Sequence, residues 1–334
     1  MKALWISWYP HRRTSGLCAA WEVPLEIVAS EHTGLRKWIG QSFATLGLLH
    51  RKRPEILFVQ NPSLGLTVLA LLARGWFGYY LVVDAHNEGV RPFVRSGRFV
   101  RWLTARLLRG ADATIVTNDA LAQDVVRAGG RPLILSDRLP VPPLPDPGLE
   151  TTCGMPVQVM VISTFAPDEP LNEIIAAAAS LPDVAFAITG NAKKFDALRL
   201  ALPPNVRLTG FLADPEYWRM LAQAQVVCDL TLMPDCLVCG AYEALAMARP
   251  MVLSDNPPTR ELFGEAAVLT AIDPRSIADA LRAALDQQSL MQTRAREARE
   301  AFRSRWQNQA ASVWAAIRAG AAGNQSEPRR IRDA

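Results

Sequence analysis

The sequence predicts an α/β protein made of two doubly wound units, each a parallel sheet covered by helices. Three observations lead there. Short apolar runs alternate with longer amphipathic ones along nearly the whole chain, the pattern of successive βαβ units. A proline-rich stretch, Leu139-Pro140-Val141-Pro142-Pro143-Leu144-Pro145-Asp146-Pro147-Gly148, interrupts the rhythm, which then restarts. The length, 334 residues, suits two domains better than one.

In the first half, strands are expected at 2–7, 55–60, 78–83, 113–117 and 132–135, where apolar residues run without a break. Helices are expected between them at 35–51, 62–73, 91–109 and 119–128. The longest apolar region, 64–83, is long enough to suggest a membrane span. Arg74 and Gly75 interrupt it, and a helix followed by a buried strand explains it better. The prolines from 139 onward cannot hold a helix or a central strand, because each lacks an N–H and fixes φ. A first domain at 1–138 and a linker at 139–155 follow.

The second half repeats the scheme. Strands are expected at 157–162, 185–189, 206–209, 226–230, 251–253 and 267–269, with helices at 168–180, 193–201, 215–224, 240–248 and 274–286. A long helical pattern from 290 to 319 includes Trp306 and Trp314. The second domain is therefore expected at 156–319, with 320–334 as a frayed, polar tail. Two such domains would face each other across a cleft, and ligands of doubly wound sheets bind outside the carboxyl ends of the strands.

Half of the residues are apolar and a fifth are charged, as in ordinary soluble proteins. Residues 1–145 hold 18 Lys and Arg against 10 Asp and Glu, so the front half is basic while the rest is acidic. A basic front suits anionic lipid, a phosphorylated acceptor or nucleic acid, or serves solubility alone. No recognition motif accompanies the charge, so nucleic acid is not expected. The five cysteines, Cys18, Cys153, Cys228, Cys236 and Cys239, are odd in number and do not form a secreted disulfide framework. The chain runs straight into a strand pattern, so the expectation is a cytoplasmic protein, either in solution or peripheral at the inner face of a membrane.

The segment richest in chemistry is Asp235-Cys236-Leu237-Val238-Cys239-Gly240-Ala241-Tyr242-Glu243. It follows a predicted strand and opens a predicted helix. A helix start offers unpaired N–H groups and partial positive charge, which suit a phosphate. A carboxylate one turn further in can reach a ribose diol. The segment reads as a site for a nucleotide diphosphate that bears something else.

Strand, loop, acid, seven residues, Glu and helix resemble the E-x7-E element of GT-B glycosyltransferases of family 4, with Asp235 and Glu243 at its two ends. Arg249-Pro250-Met251-Val252-Leu253-Ser254-Asp255 continues as in those enzymes. Val59-Gln60-Asn61-Pro62, Val83-Asp84-Ala85-His86-Asn87 and Ser163-Thr164-Phe165-Ala166-Pro167-Asp168-Glu169 are similar to the β-1,4-mannosyltransferases that act on dolichol-linked chitobiose. The resemblance implies two Rossmann-like domains and a nucleotide-sugar donor. Glu243 would bind the ribose hydroxyls, and the amides of Cys239, Gly240 and Ala241 would face the diphosphate. Asp235 would touch the transferred sugar or orient its loop. His86 would sit against the donor sugar, and Gly210 would let the nucleobase approach the backbone. Family members carry Arg and Lys near the start of the second domain, whereas residues 163–171 contain neither. Lys193, Lys194, Arg12 or Arg13 would have to supply that charge.

Plainer roles stand beside these. Glu243 could simply favour the helix dipole, Asp235 could be a loop acid, and His86 could be a hydrogen-bonded core residue. Cys236-x-x-Cys239 at a helix start is also how redox dithiols are placed. No second pair of ligands lies near for zinc, and no Asp-x-Asp motif ends a strand, so no metal or other cofactor is expected. Arg91, Arg95, Arg98, Arg101, Arg106 and Arg109, interleaved with Phe93, Phe99 and Trp102, suggest a cationic amphipathic helix facing an anionic membrane surface. The function expected is transfer of a hexose to a hydroxyl on a sugar or lipid-linked glycan, in polysaccharide or glycolipid assembly. The alternatives are a nucleotide-sugar 2-epimerase of the same fold and a catalytically degenerate domain that acts as an assembly partner.

Overall fold

A computed structural model describes residues 1–61, 63–92, 97–143, 158–198 and 200–326. The chain divides into two compact units, one of residues 1–138 with the segment from Arg305 onward, the other of residues 139–304.

The first unit runs β1 (Ala3–Ser7), α1 (Arg12–Trp21), β2 (Leu25–Ile27), α2 (Gly34–Lys52), β3 (Ile56–Asn61), α3 (Leu64–Phe77), β4 (Tyr80–Ala85), α4 (Asn87–Val90), α5 (Arg98–Gly110), β5 (Ala113–Val116), α6 (Asp119–Arg127) and β6 (Pro132–Ile134). Its six strands are all parallel, in the order β2-β1-β3-β4-β5-β6. β3 and β4 are buried along their full length. That is why their sequences read as continuous apolar runs rather than alternating ones. The strand order reverses between β1 and β3, so a crevice is expected beyond their carboxyl ends.

The second unit runs β7 (Val159–Val161), α7 (Leu171–Ala179), β8 (Phe186–Thr189), α8 (Ala192–Leu198), β9 (Val206–Gly210), α9 (Asp214–Gln223), β10 (Val226–Asp229), α10 (Cys239–Ala246), β11 (Met251–Ser254), α11 (Pro257–Phe263), β12 (Ala267–Thr270) and α12 (Pro274–Asp286). Its sheet is also six-stranded and parallel, in the order β12-β11-β10-β7-β8-β9. The reversal lies between β7 and β10. Side-chain caps start several helices: Asn118 accepts from the Leu121 amide at 3.0 Å, Asn256 from Thr259 at 2.9 Å and Asp273 from Ser276 at 2.9 Å.

Six features depart from the sequence reading. α1, β2, α4 and α11 were not expected. On α1 the inward face bears Arg13 and Thr14 beside Leu17, Cys18 and Trp21, so the apolar stripe is broken by a buried charge. β2 is a three-residue edge strand, too short to show a period. The helix expected at 91–109 starts only at Arg98, after α4 and Pro92; residues 93–96, with Arg95, lie outside the described residues. The last helix, α13 (Gln288–Ser326), neither ends at 319 nor belongs wholly to the second unit. Phe302 packs on Tyr242 and Phe263 of the second unit, with ring centroids 5.9 and 6.2 Å away. Trp306 donates to the Ser136 carbonyl of the first unit at 2.9 Å, and Trp314 stacks on Trp21 at 5.5 Å. Gly320 passes so close to Tyr80 that a Cβ there would lie 2.5 Å from the hydroxyl oxygen. Cys153 and most of the expected linker fall outside the described residues.

Candidate functional site

In the second unit, the carboxyl ends of β7, β10 and β11 gather the segment that the sequence singles out. α10 starts at Cys239, and Glu243 stands on its second turn, buried. Tyr217 of α9 donates its hydroxyl hydrogen to Glu243 Oε2. Asp235 lies in the loop before α10 with φ at +57°, a left-handed conformation that Asp tolerates better than most residues. Asn256 donates to the Cys236 carbonyl at 3.2 Å and so fastens that loop to the end of β11.

Two of the three amides expected to face a phosphate are engaged within the chain. The Gly240 N–H donates to Asp229 Oδ2 at 2.9 Å, and the Ala241 N–H to the Val238 carbonyl at 3.3 Å. Glycine is required at 240 by close approach, since a Cβ would sit 2.3 Å from Asp229 Oδ2 and 2.6 Å from Ile162 Cδ1. Asp229 closes β10 and was missed by the sequence reading, which placed it inside an expected strand at 226–230. Burial pushes its carboxyl well above the ordinary range; the Gly240 amide pulls the other way, while Glu169, Glu243 and Asp168 add to the rise.

Such a shift has a sign. A carboxyl whose folded value is raised lends stability at low pH and loses it as pH climbs through that value. Asp229→Asn should therefore flatten the decline of stability that sets in as pH rises above the ordinary carboxylate range, read as the denaturant midpoint against pH. An unchanged slope would count against this reading of Asp229.

The loop after β7 explains the missing cations. Glu169 occupies it: its carboxylate accepts from the Thr164 amide at 3.0 Å, the Thr164 hydroxyl at 2.7 Å, the Phe165 amide at 2.9 Å and the Ser163 hydroxyl. Phe165 has φ at +57°, so consecutive amides converge into a small anion-binding nest. Glu169 is thus an internal anion in the loop where the family resemblance led to an expectation of positive charge. Lys194 of α8 reaches the same loop and donates to the Thr164 carbonyl at 3.2 Å. Gly210 ends β9 with φ at +73° and open space beside it, as an approach by a planar ligand would need.

In the first unit, the ends of β1, β3 and β4 assemble a second polar cluster. Arg13 is its centre: its Nε donates to Asp84 Oδ1 at 2.9 Å, its Nη1 to Asp137, and its Nη2 to the Leu135 carbonyl at 3.0 Å. Burial alone would lower the Arg13 pKa, but Asp84 and Asp137 outweigh it and hold the guanidinium charged. His86 is the N-cap residue of α4, with its Nε2 at 3.9 Å from Asp84 Oδ2. The rings of His11 and His86 lie 4.6 Å apart. Burial, with His86 adding, lowers the His11 pKa and keeps that ring neutral. Ser7 donates to Gln60 Oε1 at 2.7 Å, and Asn61 donates to the Gly89 carbonyl at 3.0 Å.

Six buried polar atoms here have no hydrogen-bond partner among the described residues: His11 Nδ1, Thr14 Oγ1, Gln60 Nε2, Asn61 Oδ1, Asp84 Oδ2 and His86 Nε2. Buried orphans of mixed donor and acceptor character cost stability unless something else satisfies them. A polyhydroxylated ligand has the matching groups. The sequence reading found His86 but not its partner His11, which precedes a helix whose existence it did not foresee. Arg12 is exposed at the first position of α1.

Among the described residues, Cys18, Cys228, Cys236 and Cys239 form no disulfide with one another. Burial, with Asp84 adding, pushes the Cys18 thiol up to about 12, and burial likewise raises Cys228. Among the described residues no group of three His, Cys, Asp or Glu side chains is placed to hold a metal ion, and no helix is long and apolar enough to cross a membrane.

Known proteins agree with this architecture. Residues 7–134 match the glycosyl transferase 4-like domain, and residues 169–313 match a glycosyl transferase-like domain. No curated protein matches the chain in sequence. Among solved structures, HepE of Anabaena in complex with UDP-glucose is similar at a TM-score of 0.70 and 16% identity, covering 97% of this chain and 100% of its own. Sucrose-phosphate synthase of Thermosynechococcus elongatus is similar at 0.77 and 15%, over 97% and 100%. A glycosyltransferase of Rickettsia africae is similar at 0.69 and 9%, over 98% and 99%. With a glycosyltransferase domain matched in each half and a fold shared with such enzymes from end to end, the chain belongs to the family 4-like glycosyltransferases of the GT-B fold.

Proposed function

We propose that the protein transfers a hexose from a nucleotide diphosphate sugar to a hydroxyl of a sugar or lipid-linked glycan. The observation that supports this best is Glu243, a buried carboxylate on the second turn of α10 beside the strand-order reversal of its sheet. A carboxylate there accepts from two ribose hydroxyls, and Tyr217 fixes its rotamer. The Cys239 amide and Lys194 take the diphosphate, Gly210 admits the base, and Asp235 meets the transferred sugar. The complexes of HepE with UDP-glucose and with UDP favour a uridine donor. In the first unit, His86 works at the reacting hydroxyl and Arg12 adds charge on the acceptor side. Helix amides and cations would take up the leaving charge without a metal ion.

The test is calorimetric titration of UDP- and GDP-sugars against wild type and Glu243→Ala. Loss of a carboxylate shared by two hydroxyls should weaken donor binding by about 1.5–3 kcal/mol. Tyr217→Phe should weaken it less, because the carboxylate stays. Unchanged binding in Glu243→Ala would sink the assignment.

One observation favours a second reading. Asp229 holds the Gly240 amide, and Glu169 holds the amides of Thr164 and Phe165. Donors that serve phosphate elsewhere are satisfied within this chain, as in a domain that has given up catalysis and serves assembly. Wild type that binds no nucleotide sugar would select that reading.

A further inference from the structure

The outer surface of α2, α3 and α5 exposes large side chains that the sugar site does not use. On α2, Leu35, Ile39 and Phe43 recur every four residues, with Trp38 beside them, and form one outward stripe. α3 adds Leu72 and Trp76, and α5 adds Phe99 and Trp102. Phe43 is 72% exposed, Trp76 79% and Phe99 68%. The three helices are neighbours. Trp38 lies over Gly65 of α3, where a Cβ would be 1.9 Å from its ring, and a Cβ on Gly110 of α5 would lie 3.0 Å from Leu71 Cδ2 of α3. Isolated apolar residues are normal on a surface; a set spread over three adjacent helices marks a place of contact.

The charge of the same face says what it contacts. None of the three helices contains an Asp or a Glu. Arg36, Arg98, Arg101, Arg106 and Arg109 are exposed and make no ion pair among the described residues. Arg106 sets its guanidinium over the Trp102 ring at 5.3 Å, and Phe99 stacks on Trp102 at 5.8 Å. Past α5 the chain brings Asp112, which binds Arg74 of α3, and then α6 with Asp119 and with Asp124, which binds Arg91 and Arg127. Arg91 is therefore turned away from the cationic set to which the sequence assigned it. Aromatic rings interleaved with unpaired arginines suit a boundary that is apolar on one side and anionic on the other.

We propose that the α2–α3–α5 face docks this protein on an anionic lipid bilayer, its aromatic side chains entering the headgroup layer and its arginines meeting lipid phosphates. The inference stands on this surface and not on the sugar chemistry. The full chain is sedimented with phosphatidylcholine vesicles and with vesicles that also contain phosphatidylglycerol, at low and at raised salt. Binding to the anionic vesicles is expected, weakened by salt. A variant with Arg98→Gln, Arg101→Gln and Arg106→Gln should lose about fivefold in affinity per arginine removed. A variant with Phe43→Ser, Trp76→Ser and Phe99→Ser, all at strongly exposed positions, should lose vesicle binding while its circular dichroism stays native. Nucleotide-sugar binding without vesicles should be the same in both variants as in wild type, so the two proposals can fail separately. Absence of binding to anionic vesicles, or an arginine variant that binds as wild type, overturns the inference. So does a wild type that sediments as a dimer, ignores vesicles and becomes monomeric in the serine variant, since a second copy would then cover the face.

Discussion

Replacing Arg13 by methionine should destabilise the first unit by about 3–5 kcal/mol, the largest loss of stability expected from a single substitution here. The Arg13 side chain is 2% exposed and that of Asp84 is fully buried. Removing the guanidinium leaves Asp84 charged inside the protein, with Asp137 beside it and the Leu135 carbonyl without its donor. Two negative groups held together without a cation cost far more than the contact itself contributes, because the low-dielectric interior magnifies the unpaired charge. Chemical denaturation followed by the fluorescence of buried Trp5, Trp8 and Trp21 reports this unit. A companion variant that also carries Asp84→Asn and Asp137→Asn should recover much of the loss, since it removes the stranded charges as well. A loss under about 1 kcal/mol in Arg13→Met alone would show that the network is not what holds α1 against β4.

The same variant should change the acid limb of stability. Burial would raise the Asp137 carboxyl, but Arg13, with His86 and His11 adding, brings it below the usual range. A depressed carboxyl gives stability that is present above its unfolded value and lost as pH falls through its folded one. Arg13→Met removes the cause of that depression, so its stability should fall off less steeply between neutral and acid pH than that of wild type.

His86→Ala should lower the turnover of sugar transfer by about 10²- to 10⁴-fold, the range expected when a general acid–base group is removed. His86 Nε2 is buried and without a partner among the described residues, close to Asp84 Oδ2, which is in the same condition. A buried imidazole nitrogen with nothing to bind is costly, and a reacting hydroxyl would satisfy it. His11, kept neutral 4.6 Å away, adds no charge that would compete. The measurement is kcat for transfer together with calorimetric affinity for the nucleotide sugar. Turnover should collapse while donor affinity holds, because Glu243 and Lys194 stand on the other unit. A drop in both together, or a change of less than threefold in kcat, would mean that His86 only fills space.

Much of the fold was legible. β3, β4 and β10 each begin with a short apolar run before a polar residue near the carboxyl end, as strands buried on both faces do. The helix expected from 240 starts one residue earlier, at Cys239, and was legible because glycine and a downstream acid sit at the spacing that a strand–helix junction needs. The two halves separated at the prolines because proline cannot join a ladder or a helix interior. α1 was illegible for a physical reason: its buried face holds Arg13, whose charge is neutralised by residues 71 and 124 positions away. No local pattern reveals such a partner. The site residues divide along the same line. Glu243, Gly240 and His86 could be named from motif and position. Tyr217, Asp229, Glu169 and His11 could not, since each acquires its role from an atom supplied by a distant part of the chain.

By itself the sequence determined the kind of molecule: two parallel α/β sheets, a glycine-bearing helix start after a strand in the second and a histidine at a strand end in the first. Those properties follow from period, proline and glycine, which act over a few residues. Only the tertiary structure decided which of the expected donors are already engaged, which buried atoms lack a hydrogen-bond partner among the described residues, and which face of α2, α3 and α5 is left bare. Such outcomes depend on charges and amides brought together across the sheet by packing, and the distances that settle them do not exist until the chain has folded.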